Sequence, residues 1–113
     1  MDFREITALL HTSLVELEKV LLSARSVELT VSPADGGSRR TITFSDVMIM
    51  KWNPAPATNS ISAVRTVGLE KLGAGEPWRL YAQTSDGSEL ELTCRAILCD
   101  GVEITGIGRS YRH

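Results

Sequence analysis

The clearest alternation of apolar and polar positions runs from Trp78 to Ile97, WRLYAQTSDGSELELTCRAI. Trp78, Leu80, Ala82 and Thr84 share one face of a first arm, and Ser88, Leu90, Leu92, Cys94 and Ala96 share one face of a second. Arg79, Tyr81, Gln83, Glu89, Glu91, Thr93 and Arg95 point the other way. Joining apolar face to apolar face requires partner numbers with an even sum, which excludes a two-residue turn. A three-residue loop, Ser85-Asp86-Gly87, fits, with Gly87 left-handed. This register sets Trp78 opposite Cys94, Leu80 opposite Leu92, Ala82 opposite Leu90 and Tyr81 opposite Glu91.

Residues 2–25 carry a helical repeat. Ile6, Leu9, Leu10, Leu14, Leu17, Val20, Leu21 and Ala24 recur at spacings of three and four, and Asp2 with Glu5 has the spacing of a capping box. The pattern predicts a helix of about five or six turns. Val27, Leu29 and Val31 then alternate with polar residues as a half-buried strand, ended by the turn formers SPADGGS at 32–38. A second strand starts near Arg40 with Ile42 and Phe44 inward. A bulge at Ser45-Asp46 keeps Asp46 wet and turns Val47 and Ile49 inward, since an unpaired buried carboxylate is costly. NPAPATN, at 53–59, reads as a loop, Ile61 to Gly68 as a further strand and Asp100-Gly101 as a tight turn. Val102, Ile104 and Ile107 suggest a last short strand, and residues 108–113 a frayed tail. The expected fold is α+β: a long amino-terminal amphipathic helix packed on a curled, mainly antiparallel sheet of about six strands, in one domain spanning 1–113.

A chain of 113 residues at 42% hydrophobic and 23% charged builds its own core without disulfides or metal. Its net charge of −2 argues against nonspecific nucleic-acid binding, which needs a basic surface. Cys94 and Cys99 fall on opposite faces of a straight strand about 16 Å apart, so they read as reduced thiols. The start MDFREITALL lacks a basic region followed by an apolar run, and no apolar run approaches the length of a membrane span. A cytoplasmic protein without membrane contact is expected.

The chemical inventory is thin. His11 lies at the edge of the helical stripe and His113 at the end, no serine sits in a nucleophile elbow, and zinc-type spacings are absent. Glu89 and Glu91 lie about 7 Å apart on one strand face but beside Arg79 and Arg95, as in a solvated surface. Gly73-Ala74-Gly75 has no helix after it to cradle a phosphate. No catalytic residue, metal ligand or cofactor is expected, and the chain is not read as an enzyme. Arg79, Tyr81, Gln83, Glu89, Glu91 and Arg95 instead form a mixed polar and aromatic face of the kind protein partners use, or equally the plain wet side of a sheet. Trp52 either packs under the proline loop or projects as an anchor, and Met48 and Met50 either fill core or form an exposed row.

Phe44-Ser45-Asp46-Val47, then Asn53 and Ile61, then Tyr81, then Leu92-Thr93-Cys94-Arg95-Ala96-Ile97 leading into Val102, resembles small immunity-protein-like domains of bacterial polymorphic-toxin loci. Those domains share an F-x-x-V strand and a late F/L-x-C-x-x-I strand. The resemblance spans residues 26–105 and implies a protein that works by binding and blocking a cognate toxin. Two other readings stand beside it. One is an assembly subunit that self-associates as a homodimer, for which Val15 and Leu22 make the helix apolar on a second side. The other is a small-ligand domain whose helix and curled sheet enclose a polar-lined pocket.

Overall fold

A computed structural model describes residues 1–16, 21–23, 25–33, 36–53 and 61–113. Among the described residues, one helix, α1 (Phe3–Leu10), precedes nine strands: β1 (Leu14–Glu16), β2 (Leu21–Ser23), β3 (Ser26–Ser32), β4 (Arg40–Asn53), β5 (Ile61–Lys71), β6 (Trp78–Thr84), β7 (Glu89–Cys99), β8 (Val102–Glu103) and β9 (Gly108–Arg112). Strands pair in the order β1-β3-β4-β7-β6-β5, and β1 pairs again with β5, so six antiparallel strands close into a barrel. β2 pairs with β3, β8 with β7, and β9 with the carboxyl-terminal half of β5.

The expected fold of a long helix on a curled sheet is therefore overturned: the helix spans eight residues, and the sheet closes on itself. The start was read correctly. The Asp2 carboxylate accepts from the Arg4 N–H at 2.9 Å, and Glu5 accepts from the Asp2 N–H in the reciprocal arm of a capping box. The stop lies in His11-Thr12-Ser13. His11 caps the helix with an extended backbone, Thr12 takes a left-handed φ of 68°, and the Ser13 hydroxyl donates back to the Leu9 carbonyl. The Thr12 N–H then donates to the Val64 carbonyl, and the Val64 N–H to the Ser13 carbonyl, both at 2.9 Å, which zips the chain onto β5. Beyond that point Val15 is buried and Leu14 exposed, the period of a strand. Over so few residues, helical and strand periods select many of the same positions. Leu17, Val20 and Ala24, which carried much of the helical pattern, lie outside the described residues. With Val15 inside the barrel, its part in an apolar second side of a helix is gone.

The β6–β7 hairpin has the expected register at every named pair, from Trp78 opposite Cys94 to Ala82 opposite Leu90. Gly87 has φ 91° and donates to the Thr84 carbonyl at 3.1 Å, closing the three-residue loop. One face assignment fails. Ala96 is half-buried while Ile97 and Cys99 are buried, because β4 and β7 change parity together between the pairs Ser45–Ala96 and Val47–Cys94. Asp46, left-handed at φ 53° and exposed as expected, sits at that change. The register shift between β4 and β7 falls between Val47 and Ile49, beyond the expected bulge at Ser45-Asp46, so Met50 and Trp52 pack against the core while Ile49 is 58% exposed, not inward. The change of face along β7 between Cys94 and Ile97 brings Cys94 and Cys99, expected on opposite faces, both to the buried side as free thiols.

Asp100 and Gly101, with φ of 50° and 83°, make the two-residue turn into β8. Ile104 is buried, but Val102 and Ile107 are exposed, so the last short strand reduces to Val102–Glu103. The expected frayed tail is instead β9, paired with β5 through five residues from Val67–Arg112 to Lys71–Gly108. Of the proline loop, residues 54–59 lie outside the described residues, as do 34 and 35 of the earlier turn.

Phe3, Ile6 and Leu10 of α1 enter the same core as Val27, Leu29, Val31, Ile42, Phe44, Leu69, Trp78 and Ile97. The Phe3 ring lies 5.9 Å from that of Trp78 and fills the space a Cβ on Gly106 would need, at 2.5 Å. Thr7 meets Ser110 of β9, hydroxyl to hydroxyl, at 2.6 Å. The helix thus fastens β9 to the barrel.

Candidate functional site

Closure of the barrel gives every strand an inner and an outer side, and the outer side of five neighbouring strands forms one continuous surface. Register places Tyr111 (β9), Gly68 (β5), Tyr81 (β6), Glu91 (β7) and Lys51 (β4) in a row across it. A second row, two residues along, holds Arg109, Glu70, Arg79, Thr93 and Ile49. With adjacent strands about 4.8 Å apart, each row spans about 19 Å. A shallow groove of about 520 Å³ runs over this surface, bounded by Met48, Ile49, Arg79, Tyr81, Glu91 and Tyr111.

Gly68 explains how two tyrosines come to lie side by side. The Tyr111 ring rests directly over Gly68, where a Cβ would stand 2.5 Å from two ring carbons. An aromatic ring covering a strand glycine protects backbone that has no side chain of its own. Tyr111 is nevertheless 57% exposed, and its hydroxyl donates to Glu70 at 3.4 Å. Across Gly68, Tyr81 is half-buried and donates to Glu89 at 3.4 Å. Partial burial, with the nearby charges of Glu89 and Glu91, pushes the Tyr81 phenol above its ordinary range, so it remains a neutral donor.

Of the residues singled out from sequence, Arg79, Tyr81 and Glu91 come together at the groove. Gln83 and Glu89 pair one row further along and are half-buried. Arg95 is exposed near the parity change and does not line the groove. Sequence reasoning missed Gly68, Glu70, Arg109 and Tyr111. The last two alternate in Arg109-Ser110-Tyr111 as strand residues do, a signal lost by reading the tail as frayed. Trp52 belongs to the core, whereas of the methionines Met50 packs inward and Met48 stands exposed at the groove.

Inside the barrel, the described residues leave an apolar void of about 30 Å³ between Leu10, Val15, Leu29, Leu80 and Leu90. That is about the volume of one water molecule, in a lining that is apolar apart from Thr84 and the edge of Trp52. The polar-lined chamber a small-ligand domain needs is therefore not formed by these residues. Burial pushes the Cys94 thiol up to about 12, and burial likewise raises that of Cys99. Among the described residues no three His, Cys, Asp or Glu side chains cluster to hold a metal ion, and no helix is long and apolar enough to cross a membrane.

The fold and its surface define the class: a small closed antiparallel β-barrel, fastened by an amino-terminal helix, with a mixed aromatic and charged outer face. No protein-family model, curated protein or solved structure matches the chain.

Proposed function

We propose that this protein is a non-catalytic protein-binding module that docks through the outer face of β4, β7, β6, β5 and β9, and that it serves as an immunity-type inhibitor blocking a cognate bacterial toxin in the cytoplasm. The observation that carries the binding role is the pair Tyr81 and Tyr111, set on either side of Gly68 with Arg79, Ile49 and Met48 around them. Tyrosine and arginine held on rigid strands supply contact area at low entropic cost, which is why these types dominate binding hot spots. The toxin role draws on the likeness of the Phe44–Val47 and Leu92–Ile97 strands to immunity-protein domains. Phe44, Leu92, Cys94 and Ile97 are buried barrel residues, so this likeness lies in the scaffold and leaves the outer face free to vary with the partner.

Co-expression with the products of the genes flanking its own tests the proposal. The expected result is a copurifying protein that inhibits growth when expressed alone, is neutralised by the intact chain, and is released by Tyr81→Ala combined with Tyr111→Ala. A partner retained by that double variant moves docking to another surface, and flanking products that neither bind nor inhibit growth overturn the toxin role.

A further inference from the structure

Two arginines share one carboxylate in the middle of this face, and we infer that the protein partner presents an acidic segment to it, its carboxylates meeting the outward guanidinium donors of Arg79 and Arg109 that Glu70 leaves unused. The inference rests on the protein-binding reading above and specifies its chemistry. Glu70 on β5 pairs in register with Arg79 on one side and Arg109 on the other. Its carboxylate lies 3.1 Å from Arg109 Nε and 3.8 Å from an Arg79 terminal nitrogen, and also accepts from the Tyr111 hydroxyl. The Glu70 side chain is only 17% exposed, against 60% for Arg79 and 64% for Arg109.

One largely covered carboxylate cannot neutralise two guanidiniums. Each arginine carries five N–H donors, so after both are steered by Glu70 a positive charge and most of those donors still face solvent. The chain as a whole is at −2, which makes this a local positive spot on an acidic protein. Lys51 stands on the same face, with Glu91 as its register neighbour. A basic partner meets repulsion at this spot, while an acidic one gains charge-assisted, bidentate hydrogen bonds. Tyr81, Tyr111 and Ile49 flank the arginines with apolar area that a small anion leaves unused and a peptide covers. The toxin surface covered is accordingly an acidic one, unlike the basic clefts that grip nucleic-acid backbones.

Titration of the isotope-labelled chain with an octaglutamate peptide in low salt, followed by amide NMR shifts, tests the inference. The expected result is saturable shifts confined to Glu70, Arg79, Tyr81, Arg109 and Tyr111, weakened about tenfold in Arg79→Gln with Arg109→Gln and unaltered in Arg4→Gln on the helix. Octalysine is expected to leave these amides unmoved, and inorganic phosphate at equal charge to bind more weakly than the peptide. A charge-reversed Arg79→Glu, Arg109→Glu variant that keeps a dispersed spectrum should exchange octaglutamate for octalysine, an outcome no scaffold role produces. Shifts scattered over the molecule, full binding by the double glutamine variant, or phosphate binding as tight as the peptide overturns the inference. If octaglutamate fails while a copurified partner still depends on Tyr81 and Tyr111, the acidic assignment falls and the docking face stands.

Discussion

Arg40 and the Arg79–Arg109 pair make the same kinds of bond at two places on the barrel, with opposite results. At the β7–β8 corner, Arg40 donates through Nε to Asp100 and through a terminal nitrogen to the Cys99 sulfur at 3.2 Å. Asp100 also accepts from the Thr41 N–H at 2.9 Å, and its own N–H donates to the Thr41 carbonyl at 2.8 Å. One arginine meets one carboxylate, and the bonds turn back onto the backbone, tying the turn to β4. On the outer face two arginines meet one carboxylate, and what remains points outward. Stoichiometry, more than residue type, separates a structural clasp from a surface prepared for a partner.

Variants that separate these roles fall into a clear order of effect. A core lesion sets the scale: Phe44→Ala, at a fully buried ring facing Ile97 across β4 and β7, is expected to cost about 3–5 kcal/mol in denaturant unfolding. Gly68→Ala comes next. The added methyl meets the Tyr111 ring at 2.5 Å, so the ring must lift from β5, at about 1–3 kcal/mol and with faster amide exchange confined to β9. Asp100→Ala removes an acceptor of the Thr41 N–H and the partner of Arg40 from a left-handed turn position, and is expected to cost about 1 kcal/mol while leaving partner binding intact. The double Arg79→Gln, Arg109→Gln variant reverses that profile, changing stability by less than about 0.5 kcal/mol while weakening binding.

The corner also has a pH signature. The Thr41 N–H and then the Arg40 guanidinium hold the Asp100 carboxyl below its ordinary range. A carboxyl whose pKa is lower folded than unfolded contributes stability that is fully present above the unfolded value. That contribution fades as pH falls below about 4 and through the folded value. Unfolding curves of the intact chain and of Asp100→Asn should therefore differ at neutral pH and converge in acid. Curves that stay parallel through this window remove the clasp.

How far these regions could be read from sequence follows from how each is built. The hairpin 78–97 has two long arms, a glycine at the left-handed loop position and a parity constraint on its register, so local pattern determined its pairing. Segment 2–25 announced its first turn through the capping box, but its end depends on hydrogen bonds from Thr12 and to Ser13 that involve Val64, some fifty positions away. No local period encodes such a bond. The paired changes of face on β4 and β7 at Asp46 arise from two strands adjusting together, which reversed the expectation for Ala96, and the register shift between Val47 and Ile49 reversed that for Ile49. Half of the candidate site was legible for the same reason. Arg79, Tyr81 and Glu91 alternate on the hairpin itself, while Glu70 joins them through the pairing of β5 with β6, and Tyr111 and the neighbouring Arg109 only through the pairing of β9 with β5.

The most direct test compares hydrogen exchange of the chain alone and bound to its copurified partner. Added protection on 66–71, 78–84 and 108–112, with none at Arg40 or at 99–103, is the predicted result. Protection at the Arg40 corner, with the tyrosine face exchanging as in the free chain, contradicts the account.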